Sequence, residues 1–167
     1  MLLSVDEFIT EEERLDILCR AYSATEDDWK KQDGGGAYWI GNRYPFECSI
    51  FTDLNQRITK YFANYARISP FCAIQRIGVG NGMGEHTDNY HDTCAFGCVV
   101  YLNNNFEGGN LFYPRTRQSL EPVPGRLVVH AANEPHSVET VTKGTRYMLT
   151  CFVYQHPDTF AELIRDN

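Results

Sequence analysis

Hydrophobic positions change period along the chain. Over residues 6–21, Phe8, Ile9, Leu15, Ile17, Leu18 and Ala21 recur at near-helical spacing. The acidic run Glu11-Glu12-Glu13 suits a helix N-terminus, and Thr10 is placed to cap it. A second helix is predicted over about residues 52–67, with Leu54, Ile58, Tyr61, Phe62 and Tyr65 on one face. Between the two, Gly34-Gly35-Gly36 marks a loop, and Tyr38-Trp39 opens a short strand. After Pro70 the pattern becomes short β-branched and aromatic runs separated by Gly, Asn and Pro clusters. Strands are predicted at 73–79, 95–102, 110–113, 126–131, 137–141 and 146–154. Such spacing predicts a mainly β chain with flanking α, folded as a sandwich or barrel, of which the double-sheet jelly roll is one form.

Length and composition narrow the class. The 167 residues suit one domain, 1–167, with helical support over about 1–70 and a β core over about 71–155. At 43% hydrophobic and 13% aromatic residues the chain can bury a core, which excludes a disordered protein. A net charge of −7 argues against nucleic acid as a partner, since no basic field would hold its phosphates. The longest apolar stretch, Cys94 to Leu102, is too short to span a bilayer, and Asp6-Glu7 interrupts the N-terminus before a signal peptide could form. Six scattered cysteines without a CxxC read as reduced core thiols. A cytoplasmic protein is expected, with no membrane partner, as a monomer or small homo-oligomer.

Candidate chemistry begins at His86-Thr87-Asp88. In an extended chain, residues two apart share a face at about 6.6 Å between Cα atoms, so an imidazole and a carboxylate can share one cation. His136, after Pro135, is the best third ligand, with His91, His130 and His156 as competitors. His130, inside an apolar strand, reads as a packed core histidine. Two histidines and a carboxylate leave positions open on the metal, which suits non-haem Fe(II), although zinc uses similar donors. The turn Thr142-Lys143-Gly144-Thr145 predicts a hairpin that returns Arg146 beside the His136 strand. There its planar fork would grip one end of a small dicarboxylate whose other end meets the metal.

Taken together, these blocks resemble the 2-oxoglutarate/Fe(II)-dependent oxygenases, in particular their prolyl 4-hydroxylase-like branch. The resemblance runs from about residue 73 to 154. It rests on Gly84-Glu85-His86-Thr87-Asp88, Val100-Tyr101-Leu102-Asn103, Glu107-Gly108-Gly109, Pro124-Gly125-Arg126, Pro135-His136-Ser137-Val138 and Arg146-Tyr147. It implies a double-stranded β-helix (jelly roll) preceded by N-terminal helices. His86, Asp88 and His136 match the iron ligands, and Arg146 matches the residue that pairs with the distal carboxylate of 2-oxoglutarate. Tyr101 matches a tyrosine that helps hold that carboxylate, and Thr150, on the same strand face as Arg146, is a further cofactor contact. The implied cofactors are Fe(II), 2-oxoglutarate and O2, with ascorbate as reductant. The implied reaction hydroxylates an unactivated C–H bond and releases succinate and CO2.

The expected substrate is a prolyl residue of a peptide or protein, with a free small molecule as the alternative. A cupin-type metal-binding jelly roll without oxygenase activity is the alternative from another class. Tyr38, Trp39, Arg43 and Tyr90 are the candidate substrate contacts, and Arg115 and Arg117 stand nearby in the pattern. Tyr38 and Trp39 also read as cover for the core. Residues 90–94 carry no basic side chain where oxygen-sensing members of the family have a substrate-binding arginine.

Overall fold

The computed structural model describes residues 3–31, 36–40, 57, 67–89 and 94–154. In chain order these form β1 (Leu3–Val5), α1 (Glu11–Ser23), a 3-10 turn (Glu26–Asp28), β2 (Lys30–Lys31), β3 (Ala37–Ile40), β4 (Arg67–Gly78) and β5 (Met83–His86). Then follow β6 (Cys94–Tyr101), β7 (Glu107–Gly108), β8 (Leu111–Tyr113), β9 (Gln118–Leu120), β10 (Leu127–Ala131), β11 (His136–Val138), β12 (Val141–Lys143) and β13 (Thr145–Tyr154). A large sheet runs β1-β10-β6-β13-β4-β3-β2, a smaller one β5-β11-β8-β9, and β12 pairs with β7. Every described pairing is antiparallel.

The large sheet is covered on both faces, so its central strands are apolar in both registers. Odd positions of β13 (Leu149, Cys151, Val153) join Cys98, Val100, Leu127 and Val129 in a core beneath α1, with Phe8, Ile9, Ile17 and Leu18. On the opposite face, Ile77, Val99, Tyr101, Val128 and Met148 pack with Leu111, Tyr113 and Val138 of the smaller sheet. Two sheets enclosing one core are consistent with the jelly roll expected from the sequence.

Three expectations need revision. The predicted helix over 6–21 begins only at Glu11, because the amides of Phe8 and Ile9 donate to the Gly125 carbonyl and bury those side chains in a turn. The helical spacing of Phe8 and Ile9 was therefore a coincidence of that turn. Thr10 does cap α1: its hydroxyl accepts from the Glu13 amide, and the Glu13 carboxylate accepts from the Thr10 amide. The strand after Pro70 begins earlier, at Arg67, and its register with β13 slips between Cys72↔Cys151 and Ile68↔Val153, around the proline that cannot donate to the ladder. The predicted second helix, about 52–67, falls almost wholly outside the described residues; of it only Arg57, in helical conformation, and Arg67, the first residue of β4, are described.

The third revision concerns the hairpin. Val141 and Lys143 pair with β7, and β13 enters the large sheet between β6 and β4. Gly144, at φ 75°, turns the chain from one layer to the other. Arg146 thus lies across the sandwich from His136, not beside it. A polar turn ending in glycine serves either connection, so the local pattern could not separate them.

Candidate metal and dicarboxylate site

Strand parity delivers the site residues. Side chains alternate across a sheet, so the even positions of β13 face the smaller sheet, and Arg146, Met148, Thr150 and Phe152 line one cleft. The same cleft receives Gln75 from β4, His130 from β10, and His86 and His136 from β5 and β11. It holds about 540 Å³ of empty space, part of it open to solvent. His136 pairs directly with His86 across β11 and β5, which sets the two imidazoles 4.3 Å apart at their centroids.

Asp88 completes the cluster. Its amide donates to the Ala132 carbonyl, anchoring the chain after β5. Its Oδ1 lies 3.8 Å from His86 Nε2, and its Oδ2 lies 3.8 Å from His136 Nε2. The donor atoms of His86, Asp88 and His136 lie within 4.8 Å of one another, close enough to converge on one divalent ion. Each histidine points its other nitrogen at a backbone carbonyl: His86 Nδ1 lies 2.8 Å from Gly84 O and His136 Nδ1 2.9 Å from Glu134 O. A proton donated there leaves both Nε2 atoms free to bind metal. Burial, with repulsion from His130, holds the pKa of His136 down to about 4, so the ring is neutral at neutral pH. Burial pushes the Asp88 carboxyl up, but the His130 hydrogen bond and the attraction of the three imidazoles outweigh it, leaving the carboxyl below its ordinary value.

Arg146 is fully buried. Its Nη1 donates to Met148 Sδ at 2.6 Å, a weak acceptor, while Nε and Nη2 have no partner among the described residues. The hydroxyls of Tyr101 and Thr150, both on the same face of the large sheet, are buried and make no hydrogen bond among the described residues. The Arg146 guanidinium lies 5.3 Å from the centre of the Tyr101 ring. Burial lowers the affinity of Arg146 for its proton and raises that of Tyr101, and each group opposes the other's shift. Orphaned donors of this kind cost stability unless a ligand meets them, and their chemistry fits a carboxylate. Asn103 holds this end of β13 in place: its amide nitrogen donates to the Thr145 carbonyl, and its oxygen accepts from the Tyr147 amide.

The candidate substrate contacts fare differently. Tyr38 packs on the far side of the large sheet, beneath α1, with its ring 5.2 Å from the Arg76 guanidinium. That is core cover, and it removes Tyr38 from the cleft. Trp39 pairs through its backbone with Lys30 and Gln75. Arg43 and Tyr90 lie outside the described residues, as do His91 and His156. Arg115 lies 3.8 Å from Glu134, two residues before His136, and Arg117 is exposed. Cys19, Cys94, Cys98 and Cys151 are free thiols.

His130 is the packed, buried histidine that the sequence pattern suggested, and it is not one of the three converging residues, but its partners were not foreseen. Its Nε2 lies 2.9 Å from Asp88 Oδ2, and its Nδ1 lies 3.0 Å from the Tyr113 hydroxyl. The available signal was parity: His130 falls on the cleft-facing side of β10 with Val128, not with the α1-facing Leu127 and Val129.

Residues 72–154 match the family model described as the 2OG-Fe(II) oxygenase superfamily, and the chain belongs to that superfamily. Its members use Fe(II), 2-oxoglutarate and O2. The fold is that of solved prolyl hydroxylases. A Pseudomonas putida prolyl-4-hydroxylase superposes with a TM-score of 0.73 at 19% identity, over 92% of each chain. A Trichoplax adhaerens prolyl hydroxylase, solved with a peptide fragment of the hypoxia inducible factor oxygen degradation domain, gives 0.73 at 18% identity, over 95% of this chain and 85% of that one. The viral collagen prolyl hydroxylase of Paramecium Bursaria Chlorella virus-1, in a 2OG complex, gives 0.69 at 16% identity, over 92% of this chain and 95% of that one. No curated protein matches the chain by sequence. No described helix is long and apolar enough to cross a membrane.

Proposed function

We propose that the protein is a non-haem Fe(II)- and 2-oxoglutarate-dependent dioxygenase that hydroxylates an unactivated C–H bond of a prolyl residue in a peptide or protein. The observation that carries this reading is Arg146, a fully buried guanidinium with two nitrogens unpartnered among the described residues, lining the same cleft as the His86–Asp88–His136 cluster. A cation-binding triad alone fits many metalloproteins. A triad sharing its cleft with an orphaned arginine fits a metal-bound dicarboxylate.

In this reading His86, Asp88 and His136 hold the iron on one side and leave its remaining positions open. Arg146 binds the distal carboxylate of 2-oxoglutarate through its free nitrogens, and Tyr101 and Thr150 supply hydroxyls to the same end. When bound, iron and 2-oxoglutarate supply the oxidation: one atom of O2 enters succinate, released with CO2, and the other enters the substrate C–H bond. The chain contributes placement and exclusion of water, with Val99, Leu111, Val138 and Met148 forming the apolar walls. The prolyl substrate is supported by the likeness of the fold to prolyl hydroxylases, one of them solved with a peptide.

Anaerobic titration of the apoprotein with Fe(II) and then 2-oxoglutarate tests the site without a substrate. A visible charge-transfer band that requires both, and is lost in His136→Ala, is expected. Absence of the band combined with tight zinc binding would reject the oxygenase. Prolyl peptides that gain one oxygen, with matching succinate release, would establish the substrate class. Succinate formed only with free small molecules would reject it.

A further inference from the structure

A buried histidine needs partners at both ring nitrogens, and His130, 1% exposed, finds them in Asp88 of the cleft and Tyr113 of β8. An ionised carboxylate only accepts, so Nε2 must donate to Asp88 Oδ2 across the 2.9 Å contact. In the neutral ring Nδ1 is then the acceptor, and the Tyr113 hydroxyl, 3.0 Å away, is its donor. The chain Tyr113→His130→Asp88 thus has one sense of hydrogen bonding. The His130 ring centre lies 4.1 Å from that of His136, with the rings tilted at 43°, yet His130 is not one of the three residues whose donor atoms converge.

The neighbouring strand is shaped around this pair. His130 of β10 pairs with Gly97 of β6. A methyl group at Gly97 would lie 2.1 Å from Asp88 Oδ2 and 2.6 Å from His130 Nε2. The carboxylate and the imidazole therefore meet over a gap that only glycine leaves. Asp88 is nine-tenths buried and lies beyond the end of β5, so no strand ladder orients its side chain.

We propose that His130 is a positioning residue for the metal site, holding the Asp88 carboxylate in its ligating orientation while Tyr113 locks the His130 tautomer and Gly97 provides the room. The proposal rests on the assignment of His86, Asp88 and His136 as the metal ligands. Ligating carboxylates are commonly fixed by such outer contacts, whose loss weakens metal binding by roughly 10–100-fold.

Two polar variants of similar bulk separate positioning from packing. His130→Gln can place its amide nitrogen near the Nε2 position and keep the donor to Asp88, whereas His130→Asn falls short of it. Both would be checked for folding by circular dichroism and titrated anaerobically with Co(II), which also reports ligand geometry in its visible spectrum. Asp88→Ala sets the floor. A loss of roughly 10–100-fold in Co(II) affinity is expected for His130→Asn, with His130→Gln within several-fold of the wild type. Tyr113→Phe, which removes one hydroxyl from a retained ring, should weaken binding several-fold. Unchanged Co(II) affinity in His130→Asn would overturn the proposal, and so would equal losses in the Asn and Gln variants, which would mark a packing role. Wild-type protein that holds no Co(II) would instead overturn the triad assignment, and the positioning role with it.

Discussion

Arg146 carries the sharpest energetic contradiction in the molecule. A charged side chain without exposed surface, whose one contact to an acceptor among the described residues goes to a thioether, destabilises the ligand-free protein. Replacing it with methionine keeps the bulk and removes the orphaned donors. Arg146→Met should therefore stabilise the ligand-free protein by roughly 1–3 kcal/mol, the usual cost of a buried unsatisfied polar group. The same change should weaken 2-oxoglutarate binding at least roughly tenfold, because it deletes a charge-assisted pair. Urea unfolding without ligand and calorimetric titration with metal and 2-oxoglutarate would read the two effects. A destabilised Arg146→Met protein would mean that the guanidinium is already satisfied in the free state, and that the site was not built for an anion. Opposite signs for stability and binding are what a preformed ligand site predicts.

At the scale of elements, α1 shows how local signals and long-range contacts combine. The threonine cap, the acidic first turn and the buried stripe of Ile17, Leu18 and Ala21 were all legible in the sequence, because each depends on neighbours within a turn. The ion pair of Glu13 with Arg57, 44 residues away, was not. The hydrogen bond from Arg57 lowers the Glu13 carboxyl to about 2 against burial, from an ordinary value of 4.5. A lowered carboxylate pKa contributes stability above pH 4.5 that is lost as pH falls toward 2. Glu13→Gln keeps the reciprocal cap but not the charge. The stability gap between wild type and Glu13→Gln should be constant from pH 7 to about 5.5 and should narrow steadily between about pH 4.5 and 2.5. A gap that stays constant on acidification would show that the pair adds nothing. The triad candidates and Arg146 were legible for a similar reason: H-x-D brings an imidazole and a carboxylate close together by local spacing alone, even though Asp88 lies past the end of β5, and a polar residue within an apolar strand stands out. The connection at Gly144 was not, since a hairpin and a crossing between sheets use the same turn chemistry. His130 was read correctly as a buried histidine outside the ligand set, but its contact with Asp88 was not legible, because Asp88 lies 42 residues away and only pairing of β10 with β6 brings the gap at Gly97 under both.

The whole molecule places its candidate ligands on different layers. His86 and His136 belong to the small sheet, Arg146, Tyr101 and Thr150 to the large one, and Asp88 follows β5 and is fixed to the large-sheet residue His130. A metal ion alone engages one end of the cleft, and a dicarboxylate alone meets only Arg146. A dicarboxylate on the metal would span both layers, so metal and 2-oxoglutarate should stabilise the fold cooperatively. Each ligand stabilises by mass action on the native state, about 2.7 kcal/mol when present at a hundred times its dissociation constant. For a chain of this size that is roughly 5–10 °C in Tm. Thermal unfolding with Co(II), with 2-oxoglutarate, and with both should give a combined shift larger than the sum of the separate ones. In Arg146→Met the increment from 2-oxoglutarate should collapse while that from Co(II) persists, and in Asp88→Ala both should fall. Strictly additive shifts would mean that the two ligands bind apart, and the bridge between the sheets that defines this site would have to be abandoned.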